Sequence, residues 1–259
     1  MSIYVEITGE GHDVVLLHGW AMHGGVFAEV ASALAHSYRV HNIDLPGHGR
    51  SDADRGITTL DELTERVRPH VPQNAVVLGW SLGGQIAMQL ATRMSLRALI
   101  LVSATPKFVA DDSWPKGMAP NVFAQFFARL HQNIDTTVQD FLSLQVRGDV
   151  HAMHTLKALR HSLMQHPPDA SMLEAALGML RDMDLRPLLS QIQVPTLLIA
   201  GEHDRIAHPV ATRAMQSLIH NAQYIEIKRA GHACFLSHRE EFMAALNQFL
   251  TQHCSVGVA

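Results

Sequence analysis

Cysteine is scarce in this sequence: the 259 residues include 2 cysteines, Cys234 and Cys254. Neither belongs to a C-x-x-C pair or to a spacing typical of metal ligands, so the sequence predicts neither a disulfide framework nor a zinc site. Histidine is abundant, with 18 residues, but these are scattered along the chain and form no ligand motif. We therefore expect no metal site.

Long apolar runs and a strong excess of charge are also missing. No uninterrupted apolar stretch approaches the roughly 18 residues of a membrane-spanning helix. The residues from Met1 to Glu6 lack the basic region and apolar core of a signal peptide. A formal net charge of −4 argues against a general nucleic-acid-binding protein. The expectation is a cytoplasmic protein that binds neither membranes nor nucleic acid.

What the sequence does contain is a regular alternation of strand and helix signals. Apolar residues make up 47% of the chain, enough for one large domain with a sizeable core. Short continuous apolar runs alternate with segments of helical period, which predicts an α/β fold with a mostly parallel sheet and helices on both faces. The main predicted strands are 14–17, 38–43, 75–78, 99–102, 196–200 and 224–227.

The strand signal disappears between about Pro106 and Pro187. Prolines punctuate this segment, and its periodicity predicts helices at 122–130, 136–145, 151–164 and 171–180. We therefore expect an α/β core of residues 1–105 and 188–259, with residues 106–187 inserted as a helical cap. Such a cap would cover the carboxyl ends of the strands, where open α/β sheets bind ligands.

The stretch Gly79-Trp80-Ser81-Leu82-Gly83 matches G-x-S-x-G, the pattern of a nucleophile elbow. It stands between a predicted strand and a predicted helix, which is the context that this pattern requires. A serine at the tip of so sharp a turn needs small neighbours, and Gly79, Gly83 and Gly84 meet that need. The turn would present the Ser81 hydroxyl at the end of the sheet, beside a helix N-terminus that favours an anion.

A serine nucleophile needs a base, and the base needs an orienting carboxylate. With an elbow serine, the acid is expected next in the chain and the histidine last. Asp204, just past strand 196–200, and His232, after the last strand, stand at these positions. Glu202 is an alternative acid, although Asp204 is followed by the usual opening of the next helix. His238 is an alternative base, at the start of the last helix.

Two main-chain N–H groups should stabilise the oxyanion of such a reaction. One is the N–H of Leu82, directly after the nucleophile. The other should come from the loop after strand 14–17, which makes the N–H of Trp20 the candidate. In the same loop we expect His18 to connect neighbouring loops. The segment that begins at Asp44 is dense in turn residues and predicts a scaffold turn rather than a metal or phosphate site.

Together these motifs resemble the α/β-hydrolase superfamily over nearly the whole chain. The stretches that carry the likeness are HGW at 18–20, DLPGHGRS at 44–51, the Ser81 elbow, GEHD at 201–204 and GH at 231–232. More narrowly, LHGW at 17–20, GWSLGG at 79–84, WP at 114–115 and FLSLQ at 141–145 resemble the pimeloyl-acyl carrier protein methyl ester esterases of biotin synthesis. The resemblance implies the α/β-hydrolase fold and hydrolysis of the methyl ester of a pimeloyl chain whose other end stays attached to its carrier protein.

The resemblance also assigns roles by position. It makes Ser81, Asp204 and His232 the catalytic triad, and Trp20 and Leu82 the oxyanion pair. The residues that it implies for substrate binding are Trp20, Trp80, Leu82, Phe141, Leu144, Gln145 and His232. Ordinary core packing is the alternative for Phe141 and Leu144, and sheet packing is the alternative for Trp80.

No cofactor is implied, because water deacylates the enzyme after methanol leaves, and we expect a monomer. The alternative enzyme is a broad carboxylesterase or a lactonase that acts on free esters. In the family, arginines on adjacent cap helices hold the acidic carrier protein, but here the turn 135–140 before Phe141 contains none. The expected docking residues are therefore Arg147, Lys157 and Arg160. Lys157 and Arg160 are three positions apart and would share a helix face.

Overall fold

The computed structural model describes residues 2–254, which form a seven-stranded, mostly parallel sheet with strand order β1-β3-β2-β4-β5-β6-β7. β1 pairs antiparallel with β3 at one edge, and the other neighbouring strands are parallel. The strands are β1 Val5–Thr8, β2 His12–Leu17, β3 Tyr38–Ile43, β4 Val76–Trp80, β5 Ala98–Val102, β6 Thr196–Gly201 and β7 Ala222–Ile227.

The central strands are the continuous apolar runs of the sequence. Every residue of β4, β5 and β6 is buried, as expected of parallel strands that are covered on both faces. β1 is largely exposed, which fits its place at the edge of the sheet. The predicted parallel α/β architecture is confirmed.

Helices of the core connect the strands. They are α1 Ala28–Leu34, α2 Leu60–Val67, α3 Leu82–Arg93, α9 Pro209–Met215, α10 Cys234–Ser237 and α11 Arg239–Cys254, with short 3-10 turns at Gly24–Phe27 and Arg68–His70. A capping box starts α2: the Thr59 side chain accepts the Glu62 N–H, and the Glu62 side chain accepts the Thr59 N–H. Residues 255–259, beyond α11, lie outside the described residues.

Between β5 and β6 the described chain is helical apart from its turns and two isolated bridges. The helices are α4 Pro120–Gln132, α5 Ile134–Gln145, α6 Ala152–Gln165, α7 Ala170–Asp182 and the short α8 Arg186–Leu189. Each of the four helices predicted for this segment is present, with ends that differ by a few residues. Within residues 2–254, no helix combines the length and the apolar character that a bilayer crossing requires.

The inserted helices, α4 to α7, lie over the carboxyl ends of the parallel strands, and we call them the cap. Three hydrogen bonds show this placement, since each joins a cap carbonyl oxygen to a loop that follows β2 or β7. The pairs are Trp20 Nε1 to Leu173 O (2.8 Å), His23 Nε2 to Ser162 O (2.8 Å) and His232 N to Gln145 O (2.8 Å). This is the end of the sheet where α/β folds bind ligands.

Candidate active site

Ser81 lies at the tip of the turn between β4 and α3 in a strained conformation. Its φ is 56° and its ψ is −117°, a region that non-glycine residues rarely adopt. Holding a residue there costs on the order of 1–3 kcal/mol. The Ser81 N–H donates to the Val102 carbonyl oxygen of the neighbouring strand at 3.0 Å, which anchors the turn to the sheet. The strain is typical of a nucleophile elbow.

The glycines around Ser81 are required because neighbouring atoms, mostly of the main chain, fill the space that a side chain would need. A Cβ on Gly79 would lie 2.3 Å from the Gly83 carbonyl oxygen, and a Cβ on Gly83 would lie 2.2 Å from the Leu17 carbonyl oxygen. A Cβ on Gly84 would lie 2.5 Å from the Cβ of Ala104. The steric argument made from the sequence therefore holds for all three glycines.

Asp204 and His232 form a buried hydrogen-bonded pair at the ends of β6 and β7. The imidazole Nδ1–H donates to Asp204 Oδ2 at 2.8 Å, and both side chains are inaccessible to solvent. The other oxygen, Oδ1, accepts the N–H groups of Ile206 (2.8 Å) and Ala207 (3.0 Å). These bonds fix the carboxylate and, through it, the tautomer of the imidazole. Within the described chain, His232 Nε2 has no hydrogen-bond partner, so its lone pair is free to accept a proton.

Trp80 connects the elbow to the loop of His232. Its indole N–H donates to the His232 carbonyl oxygen at 3.0 Å, and the two rings lie 5.5 Å apart. The indole is 1% exposed and also packs against Phe27 and Phe235. The ring therefore supports the site from the core.

The alternative acid and base have other partners. Glu202 accepts hydrogen bonds from the Arg229 N–H at 2.8 Å and from the Lys228 ammonium at 3.1 Å, and its side chain is partly exposed.

The ring of His238 bonds to the Ser237 hydroxyl, and its centre lies 5.1 Å from that of the His151 ring. Asp204 and His232 are the acid and histidine of this set that are hydrogen-bonded to each other.

Both expected oxyanion donors lie at the elbow. Leu82 is the first residue of α3, where main-chain N–H groups have no acceptor within the helix. The loop of Trp20 runs directly against the nucleophile, since a Cβ on Gly19 would lie 3.1 Å from the Cβ of Ser81. In the part of the chain that the structure describes, the Trp20 N–H donates no hydrogen bond. Its indole N–H bonds to the Leu173 carbonyl oxygen of α7, which fixes this residue to the cap.

His18 is a structural link, as expected. Its Nδ1–H donates to the Gly19 carbonyl oxygen at 2.8 Å, and its Nε2 accepts the Leu45 N–H at 2.9 Å, which connects the loops after β2 and β3. Burial, with a further contribution from His48, lowers the pKa of His18 to about 3, so the ring is neutral. The turn at Asp44 is likewise a scaffold, because this carboxylate accepts the N–H groups of Gly24 and Arg50.

The cysteine nearest the site is not poised to act as a nucleophile. Cys234 is fully buried two residues after His232, and burial raises the pKa of its thiol, which keeps it protonated. Among residues 2–254, no three histidine, cysteine or acidic side chains lie together in a group that could hold a metal ion.

The expected acyl-binding residues of α5 lie against the loop of Trp20. The ring of Phe141 packs edge-on to the ring of Trp20 at 4.9 Å, and Leu144 is partly buried nearby. Gln145 is 1% exposed, and within the described chain neither its amide nitrogen nor its amide oxygen has a partner. Phe126 of α4, which the sequence analysis did not single out, completes this wall: its ring lies 5.7 Å from Trp20 and 5.8 Å from Phe141.

A groove of about 350 Å³ between α4 and α5 ends at this aromatic wall. Its apolar lining comes mainly from Val122, Phe126, Phe141 and Leu144. Its charged rim consists of Arg129, Asp140 and Arg147. The groove therefore combines an apolar floor that reaches the Trp20 ring with a rim that carries an excess of positive charge.

The three expected docking residues are all exposed, two of them on α6 and one just after α5. Lys157 and Arg160 lie one turn apart on α6, and the Arg160 guanidinium donates to the Gln139 side chain of α5 at 2.9 Å. Arg147 lies instead at the rim of the α4–α5 groove. The same rim carries Arg129, a residue that the sequence did not point out. Its guanidinium Nη1 lies 3.7 Å from Asp140 Oδ2. Its position in the last turn of a predicted cap helix was the available signal.

Comparisons with known proteins agree with this geometry. A model of the alpha/beta hydrolase family matches residues 14–245. A pimeloyl-acyl carrier protein methyl ester esterase from Stenotrophomonas maltophilia is 40% identical to the chain, and the match covers 96% of each protein. The enzyme of the same name from Chromobacterium violaceum is 41% identical, and the match covers 96% of this chain and 98% of that one. An esterase from Exiguobacterium antarcticum superposes with a TM-score of 0.88 at 26% identity, covering 96% of this chain and 95% of that one. A bromoperoxidase from Bacillus anthracis (21% identity, TM-score 0.85, covering 96% and 95%) shares the fold.

Proposed function

This chain belongs to the alpha/beta hydrolase family, and we propose that it is a serine carboxylesterase that hydrolyses the methyl ester of pimeloyl-acyl carrier protein. The products are pimeloyl-acyl carrier protein and methanol, and the reaction serves biotin synthesis. The observation that carries the reaction type is the strained Ser81 elbow beside the buried Asp204–His232 pair. The full-length relatives at 40% identity, which bear the name of this esterase, support the substrate.

Acylation of the enzyme uses the three residues as nucleophile, base and orienting acid. Ser81 Oγ attacks the ester carbonyl carbon while its proton passes to His232 Nε2, the ring nitrogen that has no partner in the described chain. Asp204 holds the imidazole by its Nδ1–H and stabilises the imidazolium that forms. The tetrahedral intermediate then collapses, the C–O bond to the methoxy group breaks, and His232 gives its proton to the departing methanol.

Deacylation repeats these steps with water in place of the serine. His232 takes a proton from water, the hydroxide attacks the acyl-enzyme carbonyl carbon, and the proton returns to Ser81 Oγ as the acid leaves. Every group needed for the chemistry is a side chain or a main-chain N–H of this chain. No cofactor takes part in any step.

The N–H groups of Trp20 and Leu82 stabilise the negative oxygen of both tetrahedral intermediates. Removal of one such donor costs about 10²–10³ in kcat in a related mechanism. Trp20 suits this role because its indole is fixed to α7 while its main-chain N–H is left without an acceptor in the described chain. The cap thereby helps to form the oxyanion site.

The acyl chain lies along the aromatic wall of the cap. Phe141, Leu144 and Phe126 supply apolar contact, and each methylene that is removed from water contributes about 0.8 kcal/mol. The amide of Gln145 is the polar group of this wall whose hydrogen-bonding atoms are unused within residues 2–254. It is suited to an oxygen of the substrate.

The carrier protein docks on the basic residues of the cap. Arg147 and Arg129 stand at the rim of the groove whose Phe126 and Phe141 rings pack against Trp20. Lys157 and Arg160 form a second basic site on α6. Arg129 from α4 supplies a cation beside α5, whose first turns contain no arginine. Rim charges of this kind act mainly on the rate of association and on the choice of partner.

The deciding experiment compares pimeloyl-acyl carrier protein methyl ester with free p-nitrophenyl esters of graded length. We expect a kcat/KM for the carrier-bound ester well above that for each free ester, and no turnover of either class by the Ser81→Ala variant. Equal or higher kcat/KM for free esters would favour a broad carboxylesterase, a reading that the 26% identical Exiguobacterium esterase also supports. Normal turnover by the Ser81→Ala variant would exclude both the carrier-ester esterase and the broad carboxylesterase as functions of this site.

A further inference from the structure

One segment of the cap, residues 145–150, is joined by four hydrogen bonds to the loops that carry Asp204 and His232. The pairs are His232 N–H to Gln145 O (2.8 Å), Gly231 N–H to Asp149 Oδ2 (2.7 Å), Val150 N–H to Arg229 O (3.2 Å) and His203 Nδ1–H to Gly148 O (2.5 Å). The cap thus contacts the triad loops from the side opposite to the sheet. In this set, Asp149 contributes a side-chain acceptor, whereas the other acceptors are carbonyl oxygens.

The Asp149 carboxylate is held at both oxygens. Oδ2 accepts the Gly231 N–H, and Oδ1 accepts the His151 N–H at 2.7 Å, just before α6 begins. The residue is 7% exposed, so water competes little for either bond. Hydrogen bonds from main-chain N–H groups to an ionised carboxylate are roughly twice as strong as neutral ones. The carboxylate is therefore a firm bridge between the start of α6 and the histidine loop.

The residue that Asp149 holds, Gly231, directly precedes His232. A Cβ on Gly231 would lie 2.5 Å from the Gln145 carbonyl oxygen and 3.4 Å from Asp149 Oδ2, so the cap segment lies in close contact with the histidine loop. The His232 main chain is then fixed by Gln145 on its N–H and by Trp80 on its carbonyl oxygen. Without Asp149, this loop would lose the one side-chain bond that ties Gly231 to the cap.

We propose that Asp149 is a positioning residue for His232: it fixes the main chain of the histidine loop so that the imidazole stays aligned between Asp204 and Ser81. This inference rests on the proposed function, because it concerns the base of that reaction. Asp149 acts through Gly231 and contacts no reacting atom. A misplacement of about 1 Å can cost about 10²-fold in rate. The loss should fall on kcat rather than on KM, since a small ester does not bind to Asp149.

The test uses Asp149→Ala, Asp149→Asn and a control variant, Asn133→Ala. Asn133 is also a cap side chain that accepts a main-chain N–H at a helix start, but it lies at the opposite end of α5 from Gln145. Three quantities are measured: kcat and KM for p-nitrophenyl acetate, the rate at which a fluorophosphonate labels Ser81, and the thermal midpoint of unfolding.

For Asp149→Ala we expect a fall of about 10–100-fold in kcat and in the labelling rate, with KM within about twofold of the parent value. Asp149→Asn should recover part of this loss, because its amide oxygen can still accept the Gly231 N–H. Asn133→Ala should keep the parent kcat even if its thermal midpoint falls. This contrast separates positioning of His232 from general support of the cap.

A parental kcat and labelling rate in Asp149→Ala would overturn the proposal. If Asp149→Ala does not fold, Asp149→Asn decides: a kcat roughly three- to tenfold below the parent at unchanged KM supports the proposal, and an unchanged kcat refutes it. The proposed function itself would be refuted by a parent protein that neither hydrolyses the ester nor reacts with the fluorophosphonate. The positioning proposal alone would be refuted by an active parent whose Asp149→Ala variant is equally active.

Discussion

At the scale of single residues, the site depends on a few positions where main-chain geometry leaves no choice of side chain. Ser81 has a φ of 56°, and the glycines two positions before and after it are packed against carbonyl oxygens. The strain is maintained because β4 and α3 fix both ends of the turn. The serine is thereby held in place before any substrate arrives.

The chemical roles of the triad can be tested by removing each side chain. Ser81→Ala should leave the fold intact and lower kcat by about 10⁴–10⁶, because no other group can attack the ester. His232→Ala should behave nearly the same. Asp204→Asn should also lower kcat strongly, but less than the other two changes, because loss of the acid costs less than loss of the serine or histidine in the subtilisin series. Turnover of p-nitrophenyl acetate measures this, and a Ser81→Ala variant that keeps more than a few per cent of activity would contradict the assignment.

The elbow glycines predict an effect on stability. In Gly83→Ala the new Cβ would lie 2.2 Å from the Leu17 carbonyl oxygen, so the variant should lose about 1–3 kcal/mol or more of the free energy of unfolding. Gly178 of α7 is the matched control, since a Cβ there meets no atom within 4 Å. Gly178→Ala should instead gain about 0.5–1 kcal/mol from helix propensity. Urea denaturation measures both, and equal midpoints would contradict the steric account.

His18 predicts a dependence of stability on pH. Its pKa is about 3 in the folded chain against 6.5 for an ordinary histidine, because burial disfavours the charged ring. The His18 ring is therefore protonated below about pH 6.5 in the unfolded chain, but only below about pH 3 in the folded chain. Stability from this group is complete above pH 6.5 and is lost as the pH falls toward 3, at up to about 1.4 kcal/mol per pH unit.

The variant that checks this is His18→Gln, which keeps an acceptor for the Leu45 N–H but cannot be protonated. We expect it to be less stable than the parent at pH 7.5, with a smaller loss between pH 7.5 and pH 5. The free energy of unfolding is obtained from urea titrations at each pH. Parallel pH curves for parent and variant would rule out the contribution of His18.

At the scale of the elements, the cap is part of the catalytic unit as well as a cover. α7 fixes the Trp20 indole, the last residue of α5 accepts the His232 N–H, and α4 and α5 bring Phe126 and Phe141 against Trp20. The helices of the cap therefore shape both the oxyanion loop and the acyl site. Changes to the side chains that make these contacts should affect the substrate preference and the rate together.

The aromatic wall of α4 and α5 predicts a preference for acyl length. For free p-nitrophenyl esters, kcat/KM should rise about fourfold per methylene while the chain is being buried, which corresponds to about 0.8 kcal/mol, and should fall where the apolar wall ends. Phe141→Ala should reduce the rise, because the Phe141 ring forms the contact between the groove and Trp20. A flat profile from acetyl to dodecanoyl in the parent enzyme would exclude an enclosed acyl site.

At the scale of the whole molecule, the basic residues of the cap predict charge-dependent docking of the acidic carrier. Two double reversals separate the candidate sites: Lys157→Glu with Arg160→Glu on α6, and Arg129→Glu with Arg147→Glu at the groove. Each reversal at a true docking site should raise KM for the carrier-bound ester and leave turnover of p-nitrophenyl acetate unchanged. Added salt should raise KM of the parent in the same direction, because such charges act through screened attraction.

The control makes the same change in net charge at the other end of the sheet. Arg39, near the start of β3, and Arg68, after α2, are exposed and form surface ion pairs that contribute little to stability. Arg39→Glu with Arg68→Glu should leave KM for the carrier-bound ester unchanged. If all three double variants show the same KM, docking does not use the cap.

Much of this protein was determined by the sequence alone. The continuous apolar runs predicted the parallel strands, because strands that are covered on both faces must be apolar throughout. The glycines around Ser81, between a predicted strand and a predicted helix, predicted the elbow, since so sharp a turn requires small residues at those positions. The order of Asp204 and His232 in the chain, each just past a predicted strand, made them the favoured candidates for the acid and the base.

The tertiary structure decided what depends on contacts between segments distant in the chain. The choice of Asp204 over Glu202 follows from which carboxylate reaches His232, and adjacent loop residues look alike in sequence. The place of Arg147 at the groove between α4 and α5, with Lys157 and Arg160 on α6, follows from how α5 packs between α4 and α6. Phe126 and Asp149 carry no motif. Their roles arise only because folding brings α4 onto Trp20 and the end of α5 onto the histidine loop, and no local pattern encodes such contacts.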